Sequence, residues 1–180
     1  MSRLPDLAPE DMDEQQRAIF GRSGAASRGG VGRGPSHAML HSPEFATRAT
    51  HLGDYVLRAN ALGPRLTELA ILVTARHLTS QHEWWVHAPL ALKHGIEQST
   101  IDAIRTRQEP RLTKEDEKAV YAFAVEMYRD LEVSAPTFDR AVQLFGVKGV
   151  VDLIGVLGYY SMAAMFISAF ELRPAERQLD

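Results

Sequence analysis

The chain contains no cysteine. That single absence removes disulfides, thiolate metal ligands, cysteine nucleophiles and any thiol redox cycle carried by its own residues. Basic clusters are missing as well: Lys and Arg are scattered, and the formal net charge is -3. Without a basic run or an aromatic-basic stripe, a nucleic-acid partner is not expected. The opening stretch MSRLPDLAPEDMDEQQR carries acids and prolines instead of a basic start followed by an apolar segment. No secretory signal is read there, and a cytoplasmic location is expected. Long hydrophobic runs are scarce too, with one over residues 150–170, VVDLIGVLGYYSMAAMFISAF. Asp152, Gly155, Gly158 and two serines dilute it, so it reads as a buried core helix and no membrane partner is expected.

What is present is a succession of helical patterns in 180 residues, enough for one domain with a real core. PEDMDEQQRAIFGR (9–22) begins with a proline-acid run and sets Met12, Gln16, Ile19 and Phe20 at helical spacing. GAASRGGVGRGPS (24–36) is too rich in glycine for regular structure, and lacks the strand and Gly-Lys-Ser/Thr ending of a phosphate-binding loop. It is expected to be a surface loop or flap. Residues 41–62 open with Ser42-Pro43-Glu44 as cap and first turn, and carry a stripe of Phe45, Ala49, Leu52, Val56 and Ala59. Gly63-Pro64 starts a core helix with Leu66, Leu69, Ala70 and Val73 on one face and Ile71, Leu72 and Ala75 extending it. Ser80 is expected to cap the next helix, which stops at Gly95. A short helix from Ser99 to Arg107, one starting near Thr113 and Asp116, and TFDRAVQLFG before the apolar helix complete the pattern. No alternating strand is seen, so the class is all-α.

The stretch HEWWVH (82–87) resembles a zinc motif, but its histidines have the wrong spacing. Residues four apart differ by about 40 degrees of helical rotation, whereas His82 and His87, five apart, differ by roughly 140 degrees. The metalloprotease geometry therefore fails, and a metal-dependent hydrolase using these and other histidines is a minority alternative. Glu83 and His87 are spaced i, i+4, with Ser80 one turn earlier, so the three form a polar seam beside Trp84 and Trp85. By spacing alone an exposed Glu-His pair is the favoured reading of the seam, and packing is the expected use of both tryptophans.

The string TELAILVTARHLTSQHEWWVHAPLALKHGI (67–96) resembles the core motif of the carboxymuconolactone decarboxylase family, whose fold is shared with AhpD-type alkylhydroperoxidases. The resemblance lies in Glu68, the break at Ser80, and an E-x-x-x-H helix continuing through His87-x-x-x-Ala91-x-x-x-Gly95. Weaker similarity in GPSHAMLHSPEFA and VVDLIGVLGYY extends it over most of the chain. It implies an AhpD-like helical bundle spanning residues 1–180 as a single domain, with its core motif over 64–107, assembling into homo-oligomers. In the peroxidase branch a C-x-x-C pair does the redox chemistry; here Ser80 and Glu83 stand at those positions. Serine and glutamate cannot cycle through a disulfide, so a non-redox branch is implied.

The resemblance further implies a cofactor-free proton-transfer enzyme of aromatic catabolism, decarboxylating a carboxymuconolactone-like ring-cleavage product. Its partner would be a small, anionic, unsaturated carboxylate. Histidine suits such chemistry because its ordinary pKa is about 6.5. His87 is the expected general acid/base, Glu83 the group that orients it or exchanges protons with it, and Glu68 a second carboxylate from the preceding helix. No metal or cofactor is expected. Ser80, His41, Arg48, His82 and Tyr160 are the candidate substrate contacts, with Arg76 and His37 beside them, and each has a surface or capping role as its alternative. A cis-trans isomerase or tautomerase acting on an unsaturated dicarboxylate is the enzymatic alternative; a non-catalytic binding protein is the other.

Overall fold

The structure, a computed structural model, describes residues 3–5, 7–22, 34–172 and 179. Among these residues it contains helices and no strand: a 3-10 turn at Pro9–Asp11, then α1 (Glu14–Arg22), α2 (Pro35–Met39), α3 (Pro43–Arg58), α4 (Gly63–His77), α5 (Gln81–Lys93), α6 (Gln98–Arg105), α7 (Glu115–Asp130) and α8 (Ala135–Ala169). The all-α expectation is met. Most of the glycine-rich stretch expected over 24–36 lies outside the described residues. Its end differs from the expectation, because Pro35 and Ser36 already belong to α2, where proline suits the first helical position.

The bundle is organised around α4. Leu66 through Arg76 is buried without interruption, so this helix has no solvent face and is enclosed chiefly by α5, α7 and α8. Its Leu69, Ile71 and Leu72 join Trp84, Phe123, Leu153 and Val156 in the main core. A fully buried side chain of this size contributes about 1.5–3 kcal/mol. Such an environment also takes in Thr67, Glu68, Thr74 and Arg76, none of which an apolar pattern selects. Thr67 and Thr74 return their hydroxyls to carbonyls one turn back, while Thr74 also receives the Tyr128 hydroxyl from α7.

Several boundaries differ from the sequence expectation for identifiable reasons. The helix expected over 9–22 is broken at Met12, whose backbone is extended. Asp13 and Gln16 then exchange side chain-to-amide hydrogen bonds at 2.9 and 2.7 Å, a reciprocal cap that starts α1 afresh. The helix expected to reach residue 62 stops at Arg58, because Asn60 takes the Leu62 amide and Asp152 takes the Ala61 amide. Ser42 and Ser80 stand at N-caps as expected, yet neither side chain makes a capping hydrogen bond. The start near Thr113 shifts to Glu115, with Lys114 as cap residue, and the helix expected from Ser99 starts at Gln98. Gly95 ends α5 at φ 93, the left-handed stop foreseen for it.

The α8 helix breaks at Gly146 (φ 67, ψ 172), matching the two patterns read in the sequence. After the break, Gly149, Val150, Leu153, Val156, Leu157, Tyr160 and Ala164 turn inward. Val147, Val151, Ile154 and Met165 are exposed and recur at helical spacing, an apolar outer stripe. Length and composition would let α8 cross a membrane, but half of its most apolar window is buried within the protein.

Asp152 clamps α8 to the end of α3. Its carboxylate accepts from the Tyr55 hydroxyl at 2.8 Å, the Ala61 amide at 2.7 Å and Lys148 Nζ at 2.7 Å. Burial pushes this carboxyl up, but the hydrogen bonds from Lys148, Ala61 and Tyr55 outweigh it and hold it below the usual aspartate range. Asp152→Ala is expected to lower the unfolding free energy by about 2–3 kcal/mol, read by urea denaturation. Because the folded-state pKa is depressed, the stabilisation is present above the ordinary aspartate range and fades as pH falls through the folded value. The difference between wild type and Asp152→Asn should shrink over that same acid window, and a constant difference would contradict this role.

Candidate active site

Three ionisable side chains meet between α4 and α5, at the inner side of α8. Glu68 lies in the second turn of α4, and Glu83 and His87 occupy one face of α5. Exposures are 3%, 4% and 5%, which settles the ambiguity of the sequence: the Glu-His seam is internal and not an exposed pair. His87 Nδ1 lies 2.8 Å from Glu68 Oε2, and His87 Nε2 lies 3.5 Å from Glu83 Oε2. Tyr160 of α8 presents its ring edge-to-face to the imidazole, with centroids 4.9 Å apart.

This arrangement sets the two glutamates at different nitrogens of the ring. Glu68, from the neighbouring helix, makes the close hydrogen bond that orients the ring. Glu83, the i, i+4 partner, stands farther off at the other nitrogen. With Nδ1–H as the donor, the Glu68 carboxyl oxygen accepts, and Nε2 is the nitrogen turned to Glu83.

The local charges have to balance within the cluster, since burial removes most of the help from water. One imidazolium can compensate one carboxylate; a second buried carboxylate is relieved by taking up a proton. Burial accordingly pushes the Glu83 carboxyl up, and the neighbouring His87 opposes this without cancelling it. The Tyr160 phenol is raised well above its ordinary value by burial, then by Glu83 and Glu68. It is therefore a neutral hydroxyl near neutral pH. Two polar atoms in this region are buried without a hydrogen-bond partner among the described residues: Ser80 Oγ and Glu83 Oε1. Between them in sequence, Gln81 clasps the backbone of Leu179, donating to its carbonyl at 2.6 Å and accepting from its amide at 2.9 Å.

Of the sequence candidates, the structure brings together Glu68, Glu83, His87 and Tyr160, with Ser80 one helical turn before Glu83. His82 turns elsewhere, as the spacing required: a Cβ built on Gly34 would come within 3.0 Å of its Nε2, so it packs at the entrance to α2. His41 is exposed beyond α2, and its ring neighbour is His37 at 6.1 Å. Arg48 is exposed on α3 and pairs with Glu44 at 2.7 Å, a surface pair worth a few tenths of a kcal/mol. Neither joins the cluster as described. The tryptophans divide, Trp84 entering the core at 2% exposure and Trp85 remaining 51% exposed. Tyr159 was not singled out by sequence. It packs edge-on to Tyr160, its hydroxyl lies against Gly53 of α3, and its phenol is raised by burial and by Glu83. The tyrosine doublet carried no periodic signal that separates a wall residue from a core residue.

The raised Glu83 carboxyl has a measurable consequence. Folding favours its protonated form, so that contribution is full below the ordinary glutamate range and is lost as pH rises through the raised folded value. Glu83→Gln removes the loss. Its stability relative to wild type should increase in denaturant titrations as pH rises above the ordinary glutamate range, and a pH-independent difference would show that the Glu83 carboxyl is not pushed up.

Residues 43–126 match the model of the carboxymuconolactone decarboxylase family, and this segment contains Glu68, Ser80, Glu83 and His87. Comparison with curated proteins gives no match. Among solved structures, the chain resembles a peroxidase-related protein with the alkylhydroperoxidase AhpD core from Ralstonia eutropha JMP134. The TM-score is 0.79 at 14% identity, covering 97% of this chain and 93% of that one. It also resembles a protein of unknown function from Agrobacterium tumefaciens for which the antioxidant defence role of AhpD has been suggested. There the TM-score is 0.66 at 18% identity, over 77% of this chain and 96% of the other. At these identities the likeness concerns the fold.

Proposed function

We propose that this chain, whose residues 43–126 match the carboxymuconolactone decarboxylase family model and whose fold is AhpD-like, is a proton-transfer enzyme that decarboxylates a small unsaturated carboxylate of the carboxymuconolactone type. The observation that carries this reading is the imidazole of His87 buried between two carboxylates, one at each ring nitrogen. A buried general acid/base needs its ring held in one orientation and a second group with which to exchange protons. Glu68 at 2.8 Å supplies the first and Glu83 the second.

The reaction balances with these groups. The bond between the substrate carbon and its carboxylate breaks, CO2 leaves, and the electron pair passes through the conjugated system to a carbonyl oxygen. The resulting enolate takes a proton at carbon from His87 Nε2–H, or from Glu83 through it. Solvent restores that proton, so one proton is consumed for each CO2 released. Thiol peroxidase chemistry is not part of the proposal, since the chain has no cysteine to form the disulfide. Self-association through the outer stripe of α8, including Val151 and Ile154, belongs to the same proposal.

The enzymatic alternative rests on the same geometry. An imidazole with a carboxylate at each nitrogen also suits removal of a proton from one carbon and its return to another, an isomerisation without loss of CO2. Purified protein incubated with a panel of carboxylated muconolactones and ring-cleavage dienoates, followed by CO2 release and ultraviolet spectra together, separates the two. His87→Gln should reduce turnover by about 10²–10⁴-fold with an unchanged circular dichroism spectrum. Glu68→Gln should give a smaller loss, mainly in kcat. Full activity in His87→Gln would remove the imidazole from the mechanism.

A further inference from the structure

A serine at a helix N-cap ordinarily turns its hydroxyl onto the amide of the second or third helical residue. Ser80 occupies the N-cap of the 13-residue α5 and does not do so. Its Oγ is instead buried with no hydrogen-bond partner among the described residues, in a residue only 5% exposed. The hydroxyl is therefore left unused by the fold, and so is the capping role toward the Glu83 amide, third in the helix. One turn along, Glu83 Oε1 is likewise buried without a partner. Buried polar atoms are paired in the great majority of folded structures, so two without partners on adjacent turns of one helix face mark a place built for something else.

We propose that the first turn of α5 is an oxyanion subsite, in which the Ser80 hydroxyl and the Glu83 amide hold the substrate oxygen that gathers negative charge during the reaction. Several features agree on the sign of the ligand. A hydroxyl and an amide both donate, and the N-terminal end of a helix carries partial positive charge. Burial excludes competing water and strengthens both interactions. Burial also pushes the Glu83 carboxyl toward its neutral form, which neither repels the oxygen nor lacks a proton to offer it. Ser80 and His87 are seven positions apart, about two turns and roughly 10 Å of helical rise, with Glu83 between them, so an oxygen held at Ser80 and a carbon near His87 lie at opposite ends of an extended conjugated system.

The inference rests on the proton-transfer reading of this site and names the oxygen that this reading requires. Its test uses para-nitrophenol, a planar mimic of an enolate, titrated into the full-length protein while the phenolate absorbance is followed. Wild type should bind it as the phenolate; Ser80→Ala and the volume-conserving Ser80→Cys should bind it roughly ten- to a hundredfold more weakly. The same dependence on Ser80 should persist in a His87→Gln background, where turnover is lost. Binding therefore reports on the subsite even if no substrate of the panel reacts, an outcome that would count against the proton-transfer reading alone. With a reacting substrate, both Ser80 variants should lose about 10²–10³-fold in kcat at nearly unchanged KM. Equal phenolate affinity in wild type and the Ser80 variants would overturn the subsite. A rise in KM with kcat preserved would overturn it too, since the oxygen held there would then be a ground-state carboxylate.

Discussion

The hydrogen bond from His87 Nδ1 to Glu68 fixes the relation between α4 and α5, and with it the chemistry available between them. It runs across two helices in a region where both partners are nearly inaccessible to water. Breaking it by removing either group would leave the other buried without compensation, a much larger cost than the modest net value of an exposed pair. The bond also decides which ring nitrogen is committed and which is turned toward Glu83. A third charge then has no counter-ion left within the cluster. Burial pushes the Glu83 carboxyl up accordingly, toward its protonated form beside an oriented imidazole.

The remainder of the architecture keeps this cluster dry and in register. α4 can be buried on every side because α5, α7 and α8 enclose it, while its threonines satisfy their hydroxyls on their own helix. α8 supplies Tyr160 as a lid on the imidazole ring, and Asp152 on the same helix ties α8 to the loop after α3. The Gly146 break redirects α8 so that its apolar half can lie along α4. Structural and reactive acids are thus distinguished by their partners. Asp152 has three donors that favour its charged form; among the described residues Glu83 has one distant imidazole and an oxygen with no partner.

Helix identities were largely legible in the sequence because each depends on local periodicity and on punctuation such as Gly63-Pro64, Gly95 and Gly146. The boundaries that moved did so through side chains acting at a distance. Asp152 takes an amide from a loop ninety-odd positions earlier in the chain, and no local pattern announces it. The cluster itself was half legible. Spacing placed Glu83 and His87 on one face and excluded paired zinc-binding histidines. It was silent on burial and on the closeness with which Glu68 approaches the imidazole from α4. Arg48 shows the opposite failure: a cation suited by charge to an anionic substrate is occupied by Glu44 on the solvent side of α3.

The most direct test of this account is nitrogen NMR of the ring-labelled His87 imidazole, compared between wild type and Glu68→Gln. The account requires a hydrogen on Nδ1, protected from exchange and shifted downfield by its bond to the Glu68 carboxylate, and loss of that shift in the variant. A bare Nδ1, or a His87 signal that does not respond to Glu68→Gln, would contradict it.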